Sequence, residues 1–406
     1  MTRIRSASAA VATLTALTIA IAGCTAAPAP DEPDGPDAPT YQARETGELQ
    51  EVVETMALEM GVPGAVMLLR TPDGEQTVTY GVTELGGDVP VTTDQHIRIG
   101  SNTKTMTGTV ILQLAQEGAL SLDDAVSTYR PEVPGGDDIA IAQLLNMRSG
   151  LFNYTETYEL NAALDAEPGK AWDPEDLVAM GLALPPYFAP GEGYHYSNTN
   201  TVLLGLIAEQ IEGAPLEQIL AERLFEPFGL DQTLLPARDV NTLPEPFSRG
   251  YMYTDNVMTM SVAALPADLQ AAAQEGSLLP NDQTLVNPSW GWAAGAGIST
   301  AEDLADWAEV LGTGAALDAE THQARLDSLE PTSDAADAPR YGYALAQLGP
   351  FLGHTGELPG YNAFMGHEPD AGVTLVVWAN LAPTAAGQDP ATTMARALIG
   401  ELYPAD

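Results

Sequence analysis

The sequence predicts an α+β fold in which strands from both ends of the chain form one antiparallel sheet around an inserted helical lobe. Strand-like runs occur near the start and near the end of the 406-residue chain, and turn residues join them in pairs. Apolar residues at helical spacing dominate the segment between. An apolar content of 45% is ordinary for a globular protein. We therefore expect one domain over residues 41–403, with a sheet lobe at 41–100 and 290–403 and a helical lobe at 101–289.

The first 40 residues predict an export signal and a tether. Residues 1–23 begin with basic residues and continue into a small-residue apolar run that is too short for a comfortable membrane span. The sequence Ile-Ala-Gly-Cys that ends at Cys24 is similar to the lipobox of bacterial lipoproteins, so Cys24 is the expected lipidation site, with a lone buried thiol as the alternative. Residues 24–40 are rich in Pro, Ala and Asp and predict an extended tether. The protein is therefore expected to be exported and held on the outer face of the cell membrane.

Folded structure is predicted to begin with a helix and a hairpin. Apolar residues recur at helical spacing over residues 49–60, and Gly61 provides a stop signal. Two strand-like runs follow at 64–69 and 76–80, and the sequence Thr-Pro-Asp-Gly between them is typical of a tight turn. Together these signals predict a β-hairpin.

The next predicted element is a helix that begins at Ser101 and ends before Gly118. Its one apolar face is formed by Met106, Val110, Ile111 and Leu114. Unpaired N–H groups in the first turn of a helix favour a developing anion. Lys104 lies three residues after Ser101 and so on the same face, where a partly desolvated amine can take the proton of a serine hydroxyl. The chain has only two lysines, Lys104 and Lys170, so this spacing is uncommon by chance. Taken alone, a capping serine beside a surface lysine is the more frequent situation.

Helical signals dominate the middle of the chain. Short helices are predicted over residues 139–147, 201–211 and 215–225. Residues 153–172 and 238–287 contain scattered Pro and Gly and are predicted to be loop-rich.

Strand signals return in the last quarter of the chain. Thr300 is predicted to cap a helix that has Asp303 in its first turn. Three strand-like runs follow, at residues 341–347, 361–367 and 373–380. The sequence Pro-Asp-Ala-Gly joins the last two runs, and a helix over residues 390–403 ends the prediction.

A second candidate group lies at Tyr196-Ser197-Asn198, after a Gly-rich loop. A tyrosine and an asparagine two residues apart can point into one cleft, where the phenol oxygen transfers a proton and the amide orients a substrate carbonyl. The alternative is a tyrosine packed by its ring and an asparagine that caps the following helix.

The third candidate group is His354-Thr355-Gly356, between strand-like segments. An edge strand there would line a substrate with backbone N–H groups, and Gly356 would allow a close approach. Taken alone, a structural histidine is the more common situation.

Together and in this order, the three groups resemble the active-site motifs of serine β-lactamase-like hydrolases. The Tyr-x-Asn and His-Thr-Gly forms are similar to class C β-lactamases and, more closely, to secreted D-alanyl-D-alanine carboxypeptidases and related esterases. The resemblance spans roughly residues 42–403. It implies a β-lactamase/transpeptidase-like fold, a cleft where the three motifs meet, and an acyl-enzyme mechanism without a metal or a cofactor.

The resemblance also implies a role for each catalytic residue. Ser101 is the expected nucleophile, and Lys104 and Tyr196 together take its proton and return one to the leaving group. The backbone N–H groups of Ser101 and Glu357 are expected to form the oxyanion hole.

On the binding side, Asn198 is expected to orient the acyl part of the substrate. His354 stands where relatives often carry lysine, and a cationic His354 would help to hold an anionic substrate. Thr355 is expected to contact the substrate's carboxylate or its neighbour, while Gly356 and Glu357 complete the binding strand.

Charge restricts the partners. The formal net charge is −41, so the surface repels nucleic acid and anionic headgroups, and membrane residence would depend on the lipid at Cys24. Two departures from the carboxypeptidase pattern concern the substrate. Arg340 is the one cation near the third motif that could hold a terminal carboxylate, and Glu357 beside that motif would repel an anion unless it points away.

The sequence thus predicts an exported serine hydrolase whose partners are small peptides, esters or β-lactams. D-alanyl-D-alanine carboxypeptidase activity on cell-wall peptides is the first expectation. An esterase or β-lactamase of the same fold is the alternative, and a non-catalytic, penicillin-binding sensor of the cell wall is the rival of a different class.

Overall fold

An eight-stranded antiparallel sheet joins the beginning and the end of the chain, as the sequence predicts. The computed structural model describes residues 40–261, 264–335 and 338–404. The predicted signal peptide, Cys24 and the predicted tether up to residue 39 lie outside the described part. The strands are β1 (Gly64–Thr71), β2 (Gly74–Gly81), β3 (Ile97–Arg98), β4 (Tyr251–Met252), β5 (Asn281–Asp282), β6 (Ile298–Ser299), β7 (Glu330–Pro331), β8 (Arg340–Tyr341), β9 (Ala346–Leu348), β10 (Phe351–Leu358), β11 (Tyr361–Glu368) and β12 (Val373–Ala379).

The order across the large sheet is β2-β1-β12-β11-β10-β9-β8-β7. The first hairpin therefore pairs with the last strand, and β10 lies in the interior of the sheet. Two small ribbons, β3 with β6 and β4 with β5, lie outside it. This arrangement confirms the predicted α+β class and its antiparallel sheet.

The sequence of β1 is continuously apolar rather than alternating, because both faces of this strand are buried. Val66 and Leu68 belong to the core on one face of the sheet, whereas Ala65, Met67 and Leu69 belong to the core on the other face. Successive side chains of a strand point to opposite faces, so a strand that is covered on both sides needs apolar residues at every position.

Helices cover both faces of the sheet. They are α1 (Thr46–Met60), α2 (Thr103–Gln116), α3 (Ile141–Leu145), α4 (Tyr158–Ala166), α5 (Pro174–Leu182), α6 (Asn198–Glu212), α7 (Leu216–Leu220), α8 (Glu226–Phe228), α9 (Asn256–Ser261), α10 (Ala267–Gln274), α11 (Trp292–Gly295), α12 (Ala301–Thr313), α13 (Ala319–Asp327) and α14 (Pro390–Leu402). Helices α1 and α14 share one apolar core with the sheet, and α12 contributes to the core on its other face. Among the described residues, no helix has the length and apolar character needed to cross a membrane.

Two sequence expectations need correction. The segment 153–172 is not mostly loop, because Thr157 caps α4 by accepting from the Leu160 N–H, and Leu160 is buried. The segment 238–287 is loop-rich as predicted, but it also contains two short helices, α9 and α10. The run 341–347 is not one strand, because Ala344 adopts a left-handed φ of 49° between β8 and β9.

Helix α2 is buried all round, whereas the sequence predicts a single buried face. Every residue from Thr103 to Leu114 is buried. The polar ones are tolerated because their hydroxyl groups donate to carbonyl oxygens: Thr105 to Asn102, Thr107 to Ala293 and Thr109 to Thr105. Helix α2 is therefore the centre of the helical lobe rather than a surface helix.

Arg325 on α13 links α2 to the loop between β8 and β9. It is 1% exposed, and its guanidinium donates to the Thr109 hydroxyl and to the carbonyl oxygens of Tyr343 and Ala344. Burial lowers the pKa of Arg325 to about 9. The loop between β8 and β9 is thereby tied to the helix that carries the candidate site.

Candidate active site

Ser101 lies on a 3₁₀ turn, Gly100–Asn102, that precedes α2. The sequence places it in the first turn of α2 itself, so the helix begins two residues later than predicted. Gly100 has a φ of 53°, and a Cβ atom there would lie 2.5 Å from the Glu357 nitrogen. A side chain at Gly100 would therefore force the nucleophile's turn away from β10.

Gly356 makes the same contact from the strand. A Cβ atom on Gly356 would lie 1.9 Å from the Ile99 carbonyl oxygen. Beyond Gly353, none of the described strands pairs with β10 on the β9 side, and the turn that carries Ser101 packs there instead. The Glu357 N–H is thus held next to Ser101, which is the arrangement that the expected oxyanion hole needs.

We expect Gly356→Ala to destabilise the protein by about 1–3 kcal/mol, the usual cost of overpacking, and to slow labelling of Ser101 by a serine-directed probe. The matched control is Gly400→Ala on α14, where an added Cβ meets no atom within 4 Å. Thermal unfolding and labelling rate are the measurements. Equal stability and equal labelling in both variants would show that the close approach is not required.

Lys104 is 0% exposed and contacts three oxygen atoms. Its Nζ lies 3.0 Å from Ser101 Oγ, 2.6 Å from Asn198 Oδ1 and 2.7 Å from the Ala294 carbonyl oxygen. Burial lowers the pKa of Lys104 well below its ordinary value, since no carboxylate in the described part of the chain compensates an ammonium there.

This geometry makes Lys104 a base for Ser101. The Asn198 and Ala294 oxygens can only accept, so the two hydrogen atoms of a neutral amine go to them. The lone pair then points to the Ser101 hydroxyl, which becomes the donor. The sequence alone gave no signal for the Ala294 contact, because it is made by a backbone carbonyl.

Tyr196 lies beside this pair. The Lys104 Nζ is 4.8 Å from the centre of the Tyr196 ring. Burial raises the pKa of Tyr196, and the nearby Ser101 hydroxyl acts in the opposite direction. Within the described residues the Tyr196 hydroxyl makes no hydrogen bond of ordinary geometry. A protonated phenol with an unused donor is suited to deliver a proton to a leaving group.

Asn198 is the first residue of α6 and does not act as the helix cap that the alternative interpretation proposed. Besides accepting from Lys104, its amide donates to the Thr155 hydroxyl, and its backbone N–H donates to the Asn153 side chain. Asn153 and Thr155 are not predicted as site residues, because they belong to a stretch whose sequence is typical of loops and has no catalytic motif. Asn198 therefore positions the base as well as lining the cleft.

His354 is placed differently from the expectation of a cationic substrate ligand. It is 4% exposed, and its ring contacts the Tyr341 hydroxyl and the Thr355 carbonyl oxygen behind the cleft wall. Burial and the neighbouring Lys104 lower its pKa to about 3. His354 is therefore neutral near pH 7, and the expectation of a cationic His354 is wrong. Thr355 is partly exposed on the adjoining strand position.

The depressed pKa of His354 predicts acid lability. The unfolded chain binds a proton at this residue below about pH 6.5, whereas the folded protein does so only near pH 3, so folding stability falls as pH falls through this window. The loss is up to about 1.4 kcal/mol per pH unit. Chemical unfolding between pH 7 and 4 should show this slope, and His354→Asn should reduce it. An unchanged slope in that variant would contradict the prediction.

A cleft of about 650 Å³ opens in front of Ser101. Its polar wall includes Tyr196, Asn198, Glu156 and Glu357, and apolar residues form much of the rest: Leu160, Leu164, Met252, Met260, Leu358 and Trp290. Within the described residues no arginine or lysine lines the cleft, and no cluster of acidic, histidine or cysteine side chains could hold a metal ion. Arg340 donates to the Leu329 carbonyl and does not reach the cleft, so it is not the carboxylate anchor that the sequence left open.

Comparison with known proteins identifies the family. A family model described as Beta-lactamase matches residues 49–399, which is most of the chain. The chain belongs to the β-lactamase family. A D-stereospecific amidohydrolase from Streptomyces sp. superposes with a TM-score of 0.76 at 29% identity and covers 89% of this chain and 100% of that chain. The D-amino acid amidase from Ochrobactrum anthropi SV3, complexed with L-phenylalanine amide, gives 0.72 at 25% identity and covers 88% and 99%.

Sequence relatives with curated names include penicillin-binding proteins. Penicillin-binding protein 4* of Bacillus subtilis (strain 168) is 29% identical over 216 residues, which are 50% of this chain and 45% of that protein. The chain spans less than half of the length of the curated relatives that it matches first. Membership of the β-lactamase family confirms the predicted resemblance. Proteins named penicillin-binding protein and D-amino acid amidase are among those to which the chain is similar.

Proposed function

We propose that the protein hydrolyses amides or esters of D-amino acids through an acyl-enzyme on Ser101. The observation that carries the proposal is the composition of the cleft: the residues that the structure describes place carboxyl groups and apolar side chains, but no arginine or lysine, in front of the nucleophile. An amine-bearing acyl group with an apolar side chain fits such walls, whereas a substrate that ends in a carboxylate does not.

Acylation follows from the contacts of Lys104. The Ser101 oxygen attacks the substrate carbonyl carbon while its proton moves to the Lys104 amine. The negative charge that develops on the carbonyl oxygen is received by the backbone N–H groups of Ser101 and Glu357. The carbon–nitrogen or carbon–oxygen bond of the substrate then breaks, and the leaving group takes a proton from Lys104 by way of the Tyr196 hydroxyl.

Deacylation uses the same groups in reverse. A water molecule attacks the ester carbon, its proton passes to the Tyr196 and Lys104 pair, and the Ser101 oxygen recovers a proton as the acid leaves. The water adds one hydroxyl to the acyl group and one proton to Ser101, so the enzyme is regenerated without a co-reactant.

The names of the relatives support the acyl part of this proposal. The similar Streptomyces protein is called a D-stereospecific amidohydrolase, and the similar Ochrobactrum protein is called a D-amino acid amidase. Both superpose over nearly nine tenths of this chain. The predicted carboxypeptidase activity is the second candidate, favoured by the relative named a penicillin-binding protein.

A direct comparison of substrates tests the proposal. We expect D-phenylalanine amide and the p-nitrophenyl ester of D-phenylalanine to be cleaved at least tenfold faster, in kcat/KM, than their L-enantiomers. We also expect both to exceed D-alanine release from diacetyl-L-Lys-D-Ala-D-Ala. D-alanine release at the greater rate would favour the carboxypeptidase instead. Labelling by fluorescent penicillin without turnover of any substrate would favour the sensor.

We further propose that the protein is exported and anchored by a lipid on Cys24, as the lipobox-like sequence indicates. In bacterial cells the full chain should enter the membrane fraction and take up labelled palmitate, and Cys24→Ser should abolish both. Palmitate uptake that survives this substitution would contradict the anchor.

A further inference from the structure

Glu357 contacts the turn that carries Ser101 through its backbone and lines the cleft with its side chain. Its backbone N–H lies against the turn that carries Ser101, as the 2.5 Å approach to a Cβ on Gly100 shows. Its side chain is exposed and lines the cleft. A carboxyl group is therefore fixed within one side-chain length of the point where the substrate carbonyl must lie.

The carboxyl group of Asp389 lies next to that of Glu357. The Glu357 side chain is hydrogen-bonded to Asp389, which precedes α14, and Arg396 on α14 is the cation that acts on Asp389. Glu357 opens to the cleft on one side, but protein packs around the rest of it. This desolvation, the repulsion of Asp389 and the shared hydrogen bond raise the pKa of Glu357 to about 8. The pair therefore keeps one proton near neutral pH and carries about one negative charge.

The other acidic residue of the cleft differs in its partners. Glu156 accepts hydrogen bonds from the Tyr187 hydroxyl and the Asn153 amide and contacts the His195 ring. Glu357 has no such neutral or cationic donor within the described residues, and its one side-chain partner is another acid. A carboxyl pair that shares one negative charge, and whose cleft-facing member accepts no hydrogen bond from an amide or a cation of the described residues, attracts a cation from the substrate, and does so more strongly once Glu357 ionises.

We propose that Glu357, supported by Asp389, is the specificity residue that binds a cationic group of the substrate close to the scissile carbonyl and rejects an anionic one. The α-ammonium of an amino acyl group has the required charge and distance from the carbonyl. This inference rests on the proposed hydrolase function and adds the charge class of its substrate.

Three p-nitroanilides test the inference. They share the phenylalanyl frame and differ in charge: D-phenylalanyl is cationic, 3-phenylpropanoyl is neutral and N-succinyl-D-phenylalanyl is anionic. We expect kcat/KM to decrease in that order. In Glu357→Gln, the preference for the cationic over the neutral substrate should fall tenfold to a hundredfold, the range for a hydrogen bond to a charged group, and turnover of the anionic substrate should rise.

The matched control is Glu51→Gln, which removes one negative charge from an exposed site on α1. It should leave the ratios between the three substrates unchanged. Equal ratios in wild type and Glu357→Gln, with Ser101-dependent turnover intact, would overturn the inference and leave the hydrolase function standing. Loss of the preference in Glu51→Gln as well would assign it to the overall charge and also overturn the inference. Absence of any Ser101-dependent turnover would overturn both.

A pH series separates the carboxyl pair from the catalytic base. The N-trimethyl derivative of the cationic substrate keeps its charge at every pH, and Lys104 affects all substrates alike, so the ratio of kcat/KM to the neutral substrate reports the pair. We expect this ratio to rise through about pH 8, where Glu357 ionises, and Asp389→Asn to move the rise to lower pH. A ratio that is flat across this range in wild type would contradict the role of the pair.

Discussion

Replacing Ser101 with alanine should abolish covalent labelling by a fluorophosphonate probe and all hydrolysis of amide and ester substrates. The hydroxyl is the atom that Lys104 Nζ approaches to 3.0 Å, and an alanine methyl group cannot form the acyl bond. The fold should survive because Ser101 is only partly buried and the change removes one atom. Circular dichroism and mass spectrometry of the labelled peptide are the measurements.

Ser277→Ala is the matched control, since Ser277 is exposed and its hydroxyl donates to the nearby Ala272 carbonyl. That variant should label at the wild-type rate. Labelling that persists in Ser101→Ala at the same peptide would assign the nucleophile to another residue and would remove the basis of the proposed mechanism.

The second large effect concerns Lys104. Lys104→Arg keeps a cation but not a base, because a guanidinium does not lose its proton in proteins. Lys104→Met removes the base without leaving a buried charge. We expect both variants to lose about 10²–10⁴-fold in acylation rate, the usual contribution of a general base. In wild type the rate should rise with pH and level off well below pH 10, because burial lowers the pKa of Lys104.

Lys170, the only other lysine in the sequence, provides a control for the lysine-to-arginine change. Lys170 is exposed, so Lys170→Arg should leave the acylation rate unchanged. A near wild-type rate in Lys104→Met would show that another group takes the Ser101 proton. Retained probe binding without acylation in the Lys104 variants would instead show that the cleft is intact and that the base alone is missing.

Much of the fold was predictable because its signals are local. The apolar run of β1, the turn residues of the first hairpin, the stop at Gly61 and the cap at Thr300 each act within a few residues. The elements that sequence reasoning missed have weaker local signals. Helix α4 is only nine residues long, and the break at Ala344 is stabilised by contacts from α13 and α3 rather than by its own sequence.

For the active site, local spacing along the chain specifies three sets of residues: a serine and a lysine three apart, a Tyr-x-Asn pair and a glycine on a strand. Spacing along a helix or a tight loop fixes such pairs, so they can be seen without a structure. Such spacing does not specify the protonation state or the orientation of the site's side chains. Packing between distant segments buries Lys104 between Asn198 and Ala294, keeps His354 neutral behind the cleft wall, and places Asp389 beside Glu357. These properties depend on desolvation and on charges brought from distant parts of the chain, which no local pattern encodes.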